Sequence, residues 1–142
     1  MQEGAPERLN PRKLIDYLAD LRNRHALDEV AIRRIISAVY FALFNYWSLK
    51  SYIKGLRGGG PLKDSFQLSV FHEHLLRRGL DYAVYTVYLY RVAADHYTLN
   101  PTKVKLTSKP WRGEEKEVEI DEIVLERVLE SARDILEDLE KY

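Results

Sequence analysis

The chain has 142 residues, 46% hydrophobic and 31% charged, so it can form one globular domain with a sizeable core and is not globally disordered. Its 22 Lys and Arg balance 22 Asp and Glu, which argues against binding of nucleic acid by bulk positive charge. Cysteine is absent, which excludes disulfides, cysteine-ligated metal centres and a cysteine nucleophile.

The charge is unevenly distributed. Residues 1–100 carry a net charge of +4 and residues 101–142 a net charge of −4, which predicts a basic body and an acidic C-terminal element. The polar N-terminus does not resemble a secretory signal, so a cytoplasmic location is expected. A low content of Met, Gln and Asn, together with the absence of Cys, is typical of proteins from thermophiles.

The first helix is predicted over about residues 11–25, because Asn10 can cap it and Pro11 suits its first turn. A second helix is predicted from Asp28 to Lys54, with apolar residues at helical spacing on nearly all sides. Its uncharged run is shorter than the roughly 20 residues needed to span a bilayer. A buried core helix is therefore expected, and no contact with a membrane.

Glycines 58–60 and Pro61 predict a loop after the second helix. It is not a phosphate-binding P-loop, since no Gly-Lys-Ser/Thr follows and no strand precedes it. A third helix is predicted from Asp64, a candidate cap, to Arg78, with Gly79 as its stop signal. A fourth is predicted over about residues 80–99, before Asn100-Pro101.

Polar and apolar residues alternate in segments 103–107 and 116–120, and turn residues lie between them, which predicts a β-hairpin. Lysines on the first strand and glutamates on the second favour cross-strand pairing. Residues 121–142 have the apolar spacing of an acidic amphipathic helix. The predicted fold is one all-α domain over residues 1–142, an antiparallel up-and-down bundle of about five helices with a small β-hairpin before the last helix.

The histidines do not predict a metal site. His72 and His74 are two residues apart, which places them about 200° apart around a helix, and metal-binding helices use spacings of three or four. We therefore predict no metal and no cofactor, and we assign both histidines to a solvated helix face.

The segment from Arg91 to Tyr97 is the densest polar cluster in an otherwise apolar stretch. In a structural interpretation, Arg91 pairs with Asp95 at i,i+4 and His96 lies at the negative end of the helix dipole. In a functional interpretation, His96 transfers protons and Arg91 holds a phosphate for RNA cleavage. Because they are five residues apart on a straight helix, these two side chains diverge by about 140°. A two-fold dimer, in which both copies present their side chains to one cleft, would solve this.

A second group of basic residues, Lys50, Lys54 and Arg57, lies near the end of the second helix. Each alone is typical of a solvated surface. If the fold brings them to one side, they are candidates for a groove that binds RNA phosphates.

Two segments of the sequence resemble the HEPN domain family, small helical domains of prokaryotic toxin–antitoxin and defence systems. Residues 38–45, AVYFALFN, are similar to the family's Tyr-Tyr-Ala-x-Phe helix. Arg91 and His96 match the Arg-x(4–6)-His pattern of its ribonucleases, and Arg91, Ala94 and Asp95 match the Arg-x-x-Ala-Asp pattern of other members. The resemblance covers about residues 10–100 and 121–142, with the hairpin as an insertion.

The resemblance implies a helical bundle and a homodimer. Catalytic members are metal-independent endoribonucleases, with Arg and His of both subunits in a cleft at the dimer interface. Many are encoded beside a nucleotidyltransferase antitoxin, which in some cases adenylylates a Tyr just beyond the His. Here Tyr97 directly follows His96, where the family pattern has one residue between, and Val92 stands where the family usually has a polar residue.

Three hypotheses of function follow from the sequence. The first is a dimeric ribonuclease that uses Arg91 and His96, with Asp95 and Tyr97 as supporting residues. The second is a non-catalytic module that binds a nucleotide or a partner such as a nucleotidyltransferase. The third is a dimeric scaffold whose interface is the tyrosine-rich fourth segment.

Overall fold

A computed structural model of the chain describes residues 11–24, 28–57 and 67–142. In chain order they form α1 (Pro11–Arg24), α2 (Glu29–Arg57), α3 (Leu68–Arg77), α4 (Asp81–His96), β1 (Thr102–Lys105), β2 (Glu115–Val118) and α5 (Glu122–Lys141). These helices, with a two-stranded antiparallel sheet before the last of them, confirm the predicted all-α bundle with a hairpin. No helix in the described ranges combines the length and the apolarity needed to cross a bilayer.

The long helices alternate in direction. Near the start of α2, Arg33 reaches main-chain carbonyls at the end of α4, so these two helices are antiparallel. Arg78, just before α4, pairs with Asp138 near the end of α5, so α4 and α5 are antiparallel too. At the start of α1, Arg12 bonds to Glu140 near the end of α5. The result is an up-and-down bundle whose core is centred on α2, α4 and α5.

Aspartate side chains cap two of the helices. The carboxylate of Asp28 accepts the N–H of Ala31 at 2.8 Å before α2, as the sequence predicts. The carboxylate of Asp121 accepts the N–H of Val124 at 2.9 Å before α5. The predicted cap at Asp64 lies outside the described residues.

Two predicted helix ends differ from the structure. The second helix was predicted to end at Lys54 but continues through Gly55 to Arg57. The fourth was predicted to reach Leu99, yet α4 ends at His96, because Tyr97 is extended (φ −122°, ψ 136°). The side chain of Arg33, which periodicity along α4 cannot reveal, bonds to the carbonyls exposed at this end.

The hairpin has the predicted charge pattern and packs into the core. Lys103 lies opposite Glu117 and Lys105 opposite Glu115 in the antiparallel register. The apolar residues of this segment are buried against the helices: Val104, Leu106, Val118 and Ile120. The segment that the family resemblance treats as an insertion therefore shares the core of the bundle.

The assignment of His72 to a solvated helix face was wrong. Its side chain is fully buried, and that of His74 is partly buried. His72 lies on the same side of α3 as Leu68 and Leu75, at i, i+4 and i+7, so it shares the apolar face of that helix. From the sequence, His72 was compared only with His74 as a metal ligand, and so its position on the apolar face of α3 was not revealed.

Replacing Gly79 with Ala should lower the free energy of unfolding by about 1 kcal/mol. Gly79 ends α3 with φ +77°, and the N–H groups of Gly79 and Leu80 bond to the carbonyls of Leu76 and Leu75 in a Schellman arrangement. An added Cβ would meet no atom within 4 Å, so the cost comes from the backbone conformation alone. Urea unfolding measures it, and an unchanged free energy would contradict the expectation.

Candidate functional site

A cavity of about 480 Å³ lies between the C-terminal half of α4 and the hairpin. It is lined by Tyr88, Arg91, Val92, His96, Tyr97, Lys105 and Thr107. The structure therefore brings both predicted catalytic residues and one of the two supporting residues to the same cavity of one chain. Its volume is within the range of small-ligand sites.

Arg91 is held by aromatic rings and by one carboxylate. Its side chain is 12% exposed, and its guanidinium carbon lies 5.2 Å from the centre of the Tyr40 ring and 4.9 Å from that of Phe41. Nε lies 3.3 Å from Asp95 Oδ2 but makes no hydrogen bond within the described part of the chain. The predicted i,i+4 ion pair between Arg91 and Asp95 therefore forms, but as an electrostatic contact without a hydrogen bond at Nε.

Asp95 is one turn of α4 beyond Arg91 and contacts it, but it does not line the same cavity. It lines a second cavity, of about 440 Å³, together with Val30, Arg33, Arg34, Ser37, Ala38 and Ala94. The hydroxyl of Ser37 on α2 donates to Asp95 Oδ2 at 3.2 Å. Asp95 can therefore orient Arg91, but it does not line the cavity that contains His96.

The end of α4 is held by Arg33. Its Nη1 donates to the carbonyls of Ala93 at 2.9 Å and Tyr97 at 2.5 Å, and its Nη2 donates to Leu99 at 3.3 Å. These bonds satisfy carbonyls that have no partner within the helix. They also determine where His96, the exposed last residue of α4, enters the cavity.

Tyr97 connects α4 to the hairpin. Its hydroxyl oxygen accepts the main-chain N–H of Lys105 at 3.1 Å. This bond holds the main chain of Lys105, whose side chain lines the cavity from the hairpin. Lys105 was not predicted from the sequence as a site residue. The sequence did contain a signal, because Lys103 and Lys105 are two residues apart and give β1 one basic face.

Lys50 and Lys54 line a separate cavity, of about 200 Å³, together with Ile53 and Tyr142. Lys50 follows Tyr40, which contacts Arg91, by ten residues of α2, or about 15 Å along the helix. Its ammonium donates to the carbonyl of Glu140 at 3.0 Å, and that of Lys54 lies 3.6 Å from the centre of the Tyr142 ring. Arg57 is the last residue of α2, and its side chain lies outside the described part of the structure.

A buried chain of hydrogen bonds lies beneath the cavity. Tyr40 Oη and His72 Nε2 are 2.5 Å apart, and His72 Nδ1 and Ser108 Oγ are 3.1 Å apart. Both ring nitrogens of His72 therefore have a hydroxyl partner, and neither is left without a hydrogen bond. Burial, and secondarily the charge of Arg91, lower the pKa of His72 to about 4. This histidine is therefore neutral near pH 7.

The described acidic and histidine side chains are not grouped as metal ligands. In residues 11–24, 28–57 and 67–142, no three of these groups are placed to hold a metal ion. The cavity offers a guanidinium, an imidazole, an ammonium and hydroxyls, which suit an anionic ligand.

Comparison of the chain with protein-family models, with curated proteins and with solved structures gave no significant match.

Proposed function

We propose that the protein is a HEPN-like, metal-independent endoribonuclease of toxin–antitoxin or defence type that acts as a homodimer. The observation that carries the proposal is that Arg91 and His96 line one cavity, although they are five residues apart in the sequence. A general base and a phosphate-binding cation are the two groups that metal-free RNA cleavage requires.

In this mechanism, His96 accepts the proton of a ribose 2′-hydroxyl. The 2′-oxygen forms a bond to phosphorus, the bond from phosphorus to the 5′-oxygen breaks, and that oxygen takes up a proton. Arg91 binds the phosphate oxygens and stabilises the charge that develops on them. A second copy of the chain would bring another His96 to protonate the leaving oxygen.

The alternative is a non-catalytic module that binds a nucleotide or a nucleotidyltransferase partner. One observation favours it: the side chain of Arg91 is 12% exposed and is engaged by Asp95 and two aromatic rings. A guanidinium held in this way stabilises the contact between α2 and α4 whether or not RNA is cleaved.

The deciding experiment is RNA cleavage in the presence of EDTA. We expect His96→Ala to reduce the rate by at least about 100-fold, because a general base contributes roughly that factor or more, while RNA binding is retained. Arg34→Ala is the control, since Arg34 is an exposed cation outside this cavity. Equal rates for wild type and His96→Ala would contradict the ribonuclease, and RNA binding by a wild type that does not cleave would favour the alternative.

Sedimentation of the wild type measures the dimer separately. A monomer that cleaves RNA with dependence on His96 would remove the homodimer from the proposal and leave the ribonuclease.

A further inference from the structure

Lys105 is a cation with no carboxylate partner in the described ranges. It lies opposite Glu115 in the hairpin, yet no carboxylate oxygen approaches its ammonium within 4 Å among the described residues. Its side chain is exposed and lines the same cavity as Arg91 and His96. Among the described residues, those that line this cavity are basic, polar or apolar and none is acidic.

The main chain around Lys105 is held in place. Tyr97 accepts its N–H at 3.1 Å, and Tyr88 accepts the N–H of Ser108 at 3.1 Å. Val104 and Leu106, the neighbours of Lys105, are buried in the core. Only the side chain of Lys105 remains to be ordered by a ligand, which lowers the entropic cost of binding.

We propose that Lys105 on the hairpin and Arg91 on α4 form a two-sided phosphate subsite, and that the ligand of this subsite is a nucleotide phosphate. The inference rests on the proposed function for the identity of the ligand. One cation comes from α4 and the other from the hairpin, and two cations that line one cavity can both contact one phosphate. The cavity also has the volume for a nucleotide and a partly exposed ring, that of Tyr97, on which a base can stack. The hairpin is then part of the binding site as well as of the core.

The phosphate can belong to an RNA strand or to a free nucleotide, and the experiment uses a probe for each. The first probe is a short, fluorescein-labelled oligouridine that is 2′-O-methylated so that it cannot be cleaved. The second is AMP, measured by calorimetry. The variants are Lys105→Gln and its control Lys103→Gln, which removes the same charge from the same strand but outside the cavity.

We expect Lys105→Gln to weaken oligouridine binding about tenfold, and Lys103→Gln to weaken it no more than about twofold. The slope of log affinity against log salt should fall by about 0.7 in Lys105→Gln, because one phosphate contact to a single strand is lost. An equal loss of AMP affinity supports a subsite for either source of phosphate, and unchanged AMP affinity supports a subsite for the RNA strand alone. Equal effects of the two variants on both probes would overturn the subsite.

This test separates the subsite from the ribonuclease. If wild type cleaves RNA through His96 while the two lysine variants bind alike, the subsite is wrong and the proposed function stands. If wild type cleaves no RNA but Lys105→Gln still loses affinity, the subsite stands and the proposed catalysis is wrong. If wild type binds neither probe, both are overturned.

Discussion

Acidification from about pH 7 to about pH 4 should cost the protein about 3 kcal/mol of stability through His72 alone. The pKa of this histidine is about 4 in the folded protein, against an ordinary value of 6.5. Below pH 6.5 the unfolded chain takes up a proton that the folded chain does not, so unfolding becomes more favourable as the pH falls. The stability that depends on neutral His72 is fully present above about pH 6.5 and is lost by about pH 4.

The physical cause is the surroundings of His72. The ring is fully buried among Tyr40, Tyr88 and Trp111, and the guanidinium of Arg91 adds repulsion for a second positive charge. Protonation would also make both ring nitrogens donors, so that the hydroxyls of Tyr40 and Ser108 would both have to accept.

Urea unfolding at several pH values tests this expectation with His72→Gln and with His96→Gln as the exposed control. The free energy of unfolding should depend less on pH in His72→Gln and should follow the wild type in His96→Gln. If His72→Gln does not fold, NMR titration of the histidine rings in the wild type replaces it. A His72 ring that titrates near pH 6.5 would show that the expectation is wrong.

Arg33→Ala should lower the free energy of unfolding at neutral pH by about 3 kcal/mol. The Arg33 side chain, 12% exposed, donates to three carbonyls at the end of α4 at 3.3 Å or less and pairs with Glu29 at 3.0 Å. The substitution leaves partly buried carbonyls without a donor, which costs more than the loss of a solvated bond. Arg33→Lys should recover only part of the loss, because an ammonium lacks the planar fork.

The neighbouring Arg34 provides the matched control. It is exposed, so Arg34→Ala should change the free energy of unfolding by no more than about 0.5 kcal/mol. Under the proposed ribonuclease function, Arg33→Ala should also slow RNA cleavage in a protein that is still folded, because the end of α4 positions His96. Equal stability of the two variants would contradict the role assigned to Arg33.

The order and type of the elements were predictable from the sequence because each depends on local patterns. Apolar residues at helical spacing predicted α2 and α5, and alternation predicted the hairpin with lysines opposite glutamates. The end of α4 was not predictable in this way. It depends on Arg33, which lies 60 residues before Ala93 in the chain.

The candidate site was predictable in part. Arg91, His96 and Tyr97 stand close together in the sequence, and the structure places all three at one cavity. Lys50 and Lys54, the candidates for a phosphate groove, line one cavity of their own beside the end of α5. Basic side chains on a helix surface carry no local signal of which neighbour they will meet, so their grouping required the packing of α2 against α5.

The sequence by itself determined the fold class, the hairpin and the chemical types of side chain present in segment 91–97, because periodicity, capping and composition act over a few residues. The tertiary structure alone decided that His72 is buried and neutral, that Asp95 and His96 line different cavities, and that Lys105 lines the same cavity as Arg91. Burial, pKa and the shape of a cavity arise from residues distant in the chain, and only the packing of α2, α4 and the hairpin brings those residues together.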